Sequence, residues 1–190
     1  MTVDTRQTNL VAPNDRDIRT VVADPPWDCE SGGGQVKRGA DRHYPLMGPR
    51  ECVQVIQQEC PAWQRLADSA HLYLWTTNRA LALGDAHHVC RGLGFRPVTV
   101  LTWVKRKDGD LQIGLGQYFR GASEQILFGV RGETEYTEGT WPTVLEAPRG
   151  EHSAKPESSY EMIEEASAAE YLELFAREDR EGWTCWGNEI

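Results

Sequence analysis

The chain has 190 residues, 39% of them hydrophobic and 26% charged, which predicts one globular domain large enough to bury a core. No apolar run is long enough to span a bilayer, and the polar opening MTVDTRQTN lacks the apolar core of a signal peptide, so a soluble cytoplasmic protein with no membrane partner is expected. The net charge of −9 argues at first against a polyanionic partner, yet residues 1–132 carry 16 basic and 14 acidic side chains whereas residues 133–190 carry 4 and 15. That asymmetry permits a basic face beside an acidic remainder. Five cysteines without CxxC spacing fit reduced thiols. No metal pattern is present: the one histidine pair, His87-His88, consists of neighbours that point in different directions on a helix.

In chain order, residues 1–17 read as a flexible arm and 18–190 as the domain. Residues 20–23, TVVA, predict a buried strand, because β-branched, uncharged side chains suit a covered sheet. Residues 28–48 form a long Gly-rich loop without period, of the length that is usually functional. Pro49 can open a helix that runs to about Leu66. HLYLWTT (71–77) predicts the second strand. Asn78 can cap a helix over 79–93, which Gly94 can end. RPVTVLTWVK (96–105) and EQILFGV (124–130) predict further strands. Pro156 starts a helix to about Ala168, and YLELFAR (171–177) and GWTCWGN (182–188) predict the last two strands. Strands and helices alternate in part, so the expected class is α/β with a largely parallel sheet.

GLGQYF lacks the third glycine of a dinucleotide fingerprint, and SGGGQVK lacks the GK[ST] of a phosphate loop, so both read as turns and a dinucleotide-dependent oxidoreductase is disfavoured. ADPPWD (23–28) is more informative. The prolines cannot continue a ladder, so the strand stops and presents Asp24 at its carboxyl end, where open α/β sheets bind ligands. This strand–acid–Pro-Pro–aromatic run resembles motif IV of the amino methyltransferases, which modify exocyclic amines of bases. The amine lone pair is delocalised into the ring. Acceptors aimed at both N–H groups favour a tetrahedral nitrogen that can attack. Asp24 and the Pro25 carbonyl would supply them, Pro26 would stiffen the turn, and Trp27 would stack on the base.

HSAKPESSYEMIEEA, YLELFAR and GWTCWGNE follow in that order near the end of the chain. With DPPW and the central blocks they resemble the adenine-N(6) methyltransferase family of the messenger-RNA methyladenosine writer's catalytic subunit, in its bacterial or phage branch, over about residues 18–190. The resemblance implies a Rossmann-like α/β fold in permuted order, catalytic motif first and cofactor strands last, with S-adenosyl-L-methionine as cofactor. It implies that Asn188 and Glu189 hold the cofactor ribose, Lys155 meets its carboxylate with Ser153 in the same loop, Phe175 and Arg177 line its adenosine, and Tyr44 gates the acceptor base. Glu178-Asp179 after Arg177, and Glu189 in place of a glutamine, depart from the animal enzyme and leave the ribose contacts open. Asp15 and Asp17 are only candidates for the residue that contacts the cofactor adenine.

The expectation is a methyltransferase acting on the exocyclic amine of adenine in nucleic acid, with DNA favoured. The alternatives are an RNA adenosine methyltransferase, an inert scaffold subunit, and an amine methyltransferase of small molecules or proteins. Lys37, Arg38 and Arg42, with Lys105, Arg106 and Lys107, would form a phosphate-contacting rim, and the acidic stretch 133–190 would turn away from it. Sequence specificity would come from loops 28–48 and 104–123, from a partner subunit or from a homodimer.

Overall fold

The structure is a computed structural model that describes residues 17–28, 46–114, 118–133, 137, 139–150 and 154–190. Eight strands form one sheet: β1 (Ile18–Ala23), β2 (Leu66–Thr76), β3 (Arg96–Lys107), β4 (Asp110–Leu111), β5 (Ser123–Arg131), β6 (Val144–Ala147), β7 (Tyr171–Leu174) and β8 (Trp183–Trp186). Their order is β4-β3-β5-β2-β1-β7-β8, with β6 also pairing with β3. The sheet is mixed rather than largely parallel. β1 runs parallel to β2 and β7, and β7 to β8, but β5 is antiparallel to both β2 and β3. No helix separates β3 from β5, and strands joined without a crossover pair antiparallel.

Period-two alternation sorts the strand residues onto two faces. Ile18, Val21, Ala23, Leu72, Leu74, Leu172 and Leu174 pack with Cys52 and Ile56 of α1 (Pro49–Glu59) and Ala86, Val89 and Cys90 of α3 (Asp85–Gly92). Val22, Tyr73, Trp75, Trp103, Ile126 and Phe128 pack with Met162 and Ile163 of α4 (Glu157–Ala166). The layers are therefore helices, sheet and one helix. No helix among the described residues is long and apolar enough to cross a membrane.

Several boundaries differ from expectation. The first helix stops at Glu59, and Pro61 starts a short 3-10 turn (Pro61–Arg65), since proline donates no helical hydrogen bond. β2 starts at Leu66 rather than 71. The helix expected over 79–93 is split into α2 (Asn78–Leu83) and α3 by Gly84, at φ +85°, a conformation that favours glycine. Thr77, not Asn78, caps α2, accepting the Ala80 N–H at 3.1 Å. β4 and β6 were not expected. Each is short and held by the edge of β3.

Candidate active site

Strand direction gathers the site. β1, β2, β7 and β8 all end at one sheet edge, and the antiparallel β5 begins there, with Trp103 of β3 opposite Glu124 and Thr76 of β2 opposite Gln125. Asp24 follows β1 at that edge, and its backbone N–H is directed at the Leu174 carbonyl at 3.4 Å. Alternation continued from Val22 points Asp24 to the α4 face. The same reasoning from Ile126 brings Glu124 there, and from Trp103 it brings Lys105.

On that face the buried Lys155, just ahead of α4, places its Nζ 2.7 Å from Asp24 Oδ2 and 3.3 Å from Glu124 Oε2. Its side chain is 9% exposed, against 27% and 26% for the two acids. Lys105 closes the row at 2.5 Å from Glu124 Oε1. Burial alone would push the Lys155 ammonium down, but the Asp24 and Glu124 carboxylates outweigh it and hold the group above the ordinary lysine range. Burial likewise works to raise Glu124, yet Lys155 and Lys105 bring it below the ordinary carboxylate range. The Lys155 ammonium also lies 5.0 Å over the Trp75 ring, whose buried indole N–H has no partner among the described residues. Lys155, expected at the cofactor carboxylate, also pairs with two carboxylates of its own chain. A buried ammonium needs counter-charge, and these are within reach.

Oδ1 of Asp24 has no partner among the described residues and gives the carboxylate an open acceptor. The Pro25 carbonyl accepts the Trp27 N–H at 2.8 Å, which leaves its second lone pair. The Pro26 carbonyl accepts the Met47 N–H at 2.9 Å, so the returning chain fastens the turn. Trp27 sits differently from the stacking role expected of it. It is 7% exposed, packs with the α1–α3 core, and donates its indole N–H to the Trp75 carbonyl at 2.9 Å. Here its ring braces the turn from below.

The two expected cofactor loops touch. Ala176 donates to the Trp186 carbonyl at 3.0 Å. A Cβ on Gly187 would lie 2.0 Å from the Ala176 oxygen, so only glycine allows this approach. Phe175 adopts φ +62°, a strained conformation for a bulky residue, and meets the Trp186 ring at 5.7 Å. Arg177, Asn188 and Glu189 are exposed beside them. Beneath this loop Tyr160 donates to Glu173 at 2.7 Å, and burial pushes the Glu173 carboxyl up. Arg180 covers the Tyr160 ring at 3.6 Å and grips Glu157 with both terminal nitrogens. Two clefts of about 220 and 140 Å³ lie elsewhere, around Trp141, Pro142 and Met162. Neither is lined by Asp24 or Lys155, so charged groups and strand ends mark the site.

The rim is modified by ion pairs. Lys105, Arg106 and Lys107 reach the expected sheet edge, but Lys105 is neutralised by Glu124 and Arg106 by Glu146 at 2.8 Å. Glu146 belongs to the acidic stretch expected to turn away, so that separation does not hold. Lys107 stays exposed. Lys37, Arg38, Arg42, Tyr44, Ser153 and Asp15 lie outside the described residues. Glu124 is the member that the sequence reading missed. Its signal was alternation, since Glu124, Ile126 and Phe128 share a face.

The family model described as MT-A70 matches residues 18–189. The chain is 30% identical over 177 residues to the N(6)-adenosine-methyltransferase MT-A70-like protein of Arabidopsis thaliana, covering 90% of this chain and 23% of that one. It is 30% identical over 179 residues to the human N(6)-adenosine-methyltransferase catalytic subunit METTL3, covering 90% and 28%. It is 29% identical over 196 residues to the type II methyltransferase M.MunI of Mycoplasma sp, covering 90% and 77%. The chain thus spans about a quarter of its plant and human relatives and about three quarters of the bacterial one. A match that takes in every described strand, the Asp24 turn and the Lys155 segment shows that this chain belongs to the MT-A70 family.

Proposed function

We propose that this chain transfers the methyl group of S-adenosylmethionine to the exocyclic amine of adenine in nucleic acid, with DNA as the favoured substrate. The observation that carries the reading is Asp24, a carboxylate held at Oδ2 by the buried Lys155 while its side chain stays 27% exposed, beside a Pro25 carbonyl fixed in a rigid turn. Two acceptors set at a strand end suit the two N–H groups of a planar amine. Because both are already fixed, no reorganisation is needed as the nitrogen becomes tetrahedral. Lys155 sets a positive charge against Asp24 and orients its carboxylate, and Glu124 supports Lys155.

The residues present fit the methyl donor. The contact between loops 175–177 and 187–189 brings Phe175, Arg177, Asn188 and Glu189 to the edge that carries Asp24, and the Trp75 N–H beside Lys155, without a partner among the described residues, could donate to an outside acceptor. Asn188 and Glu189 would hold the ribose, Phe175 and Arg177 the adenosine, and Lys155 with Ser153 the carboxylate end. When bound, this cofactor supplies an electrophilic methyl on a sulfonium. The chain aligns the amine with it and needs no covalent enzyme intermediate.

DNA is favoured over RNA because the type II methyltransferase is the relative whose length this chain most nearly fills among the three compared, at 77%. Mass spectrometry of nucleosides after separate incubation with DNA and RNA tests the proposal. N(6)-methyladenine in the DNA arm is the expected result, methylation of RNA alone would move the substrate, and none in either arm would leave an inert scaffold.

A further inference from the structure

We propose that Tyr118 and Phe119 form a stacking platform for a base of the nucleic-acid strand, next to the base presented to Asp24; this rests on the function proposed above. The two rings are 95% and 92% exposed, so they are not part of the core formed by the described residues. A loop has no folding reason to hold adjacent aromatic side chains in water, because each gives up the large favourable burial that makes aromatics core residues.

Their position is built. The Gly114 N–H donates to the Gly121 carbonyl at 2.6 Å, Arg120 Nε donates to the Gly114 carbonyl at 2.9 Å, and the Lys105 N–H donates to the Ala122 carbonyl at 2.8 Å. These bonds close a neck from which Tyr118 and Phe119 project. The neck leads directly into β5, whose second residue is Glu124, the partner of Lys155. The platform therefore leads into the strand whose first residues carry the Asp24 cluster's Glu124, at the same sheet edge.

Charge favours nucleic acid as the occupant. Of the four basic side chains in residues 104–123, Lys105 and Arg106 are paired with Glu124 and Glu146, and Lys107 and Arg120 remain beside the two rings. Lys107 and Arg120 are exposed, and the terminal guanidinium nitrogens of Arg120 have no partner among the described residues. Aromatic rings interleaved with cations are the chemistry that holds single strands and splayed bases, rings on base faces and cations on phosphates. Leu111 and Ile113, about half exposed, extend the apolar side of the hairpin.

The test uses the full chain with labelled single-stranded and duplex oligonucleotides, read by fluorescence anisotropy and by methylation KM. Tyr118→Ala and Phe119→Ala should each weaken oligonucleotide binding about tenfold, with Tyr118→Phe close to the parent. Cofactor affinity should stay unchanged, and so should the salt slope, because stacking releases no counterions. Arg120→Ala should instead lower that slope by about 0.7–0.9. A double alanine variant with the parent's affinity and KM overturns the platform while leaving the proposed function standing. A weakened variant that also passes from dimer to monomer by light scattering overturns it in favour of a protein interface. A parent that binds no nucleic acid overturns both readings.

Discussion

The two faces of the sheet are made from alternate residues of the same strands, yet they differ in kind. The face toward α1 and α3 is apolar along its length, from Ile18 to Leu174. The face toward α4 is apolar only in its middle. At one end it carries the His71–Ser167–Tyr73 hydrogen bonds, and at the other the Asp24–Lys155–Glu124 row. Neighbouring residues therefore answer to different pressures, Ala23 and Leu174 to packing, Asp24 and Glu173 to charge. Stability should follow the first face and chemistry the edge of the second.

The sharpest way to break this comparison is to damage each face separately. Leu72→Ala, on the apolar face, should cost about 2–5 kcal/mol of unfolding free energy, measured by denaturant titration. A smaller loss would mean that the α1–α3 layer is not the main core. Asp24→Ala should lower methyl transfer by roughly 10²–10³, with cofactor binding retained and a smaller stability loss than Leu72→Ala causes. Turnover near that of the parent would dissociate the turn from the chemistry.

Lys155→Met should reveal how strongly the charged row depends on its centre. Removing one partner of a fully buried pair costs about 3–5 kcal/mol; here the loss should be smaller, since both acids keep about a quarter of their exposure. The pH dependence has a definite sign. Lys155 is held above its ordinary value of 10.5, so its contribution is lost only as pH rises beyond that value. Glu124 is held below its ordinary 4.5, so its contribution is lost as acid is added below that. The gap in Tm between parent and variant should be widest between these limits and close at both ends. A gap independent of pH would assign Lys155 a packing role.

Asn188→Ala should weaken cofactor binding by about 1–3 kcal/mol in a calorimetric titration. An unchanged affinity would move the ribose away from loop 187–189. The smallest effect is expected at Arg106→Ala, where an exposed pair with Glu146 contributes about 0–1 kcal/mol. A larger stability loss there would show that β6 depends on this contact.

Much of this was legible in the chain. The strand ending at ADPPWD was readable because a β-branched run meets two prolines, both local facts. The split at Gly84 was harder, because ALALGDAHH reads as one amphipathic helix and only φ +85° reveals the break. Trp27 shows the limit clearly. Its residue type fits a stacking ring or a core ring equally, and the Trp75 carbonyl that holds its N–H comes from a distant strand. Glu124 was hidden for a related reason, because an acid opening a strand looks like an ordinary exposed end until the Lys155 ammonium arrives beside it.

The sequence by itself determined where the main strands and helices lie, which of their residues share a face, and that a carboxylate stands where β1 must stop. Those properties follow from interactions within a few residues, sterics, proline geometry and period. Only the tertiary structure decided the strand order, the antiparallel entry of β5, and the meeting of Asp24, Glu124, Lys105 and Lys155. A buried charge takes its partners from whatever segments assemble around it, and desolvation penalises every arrangement that leaves it alone.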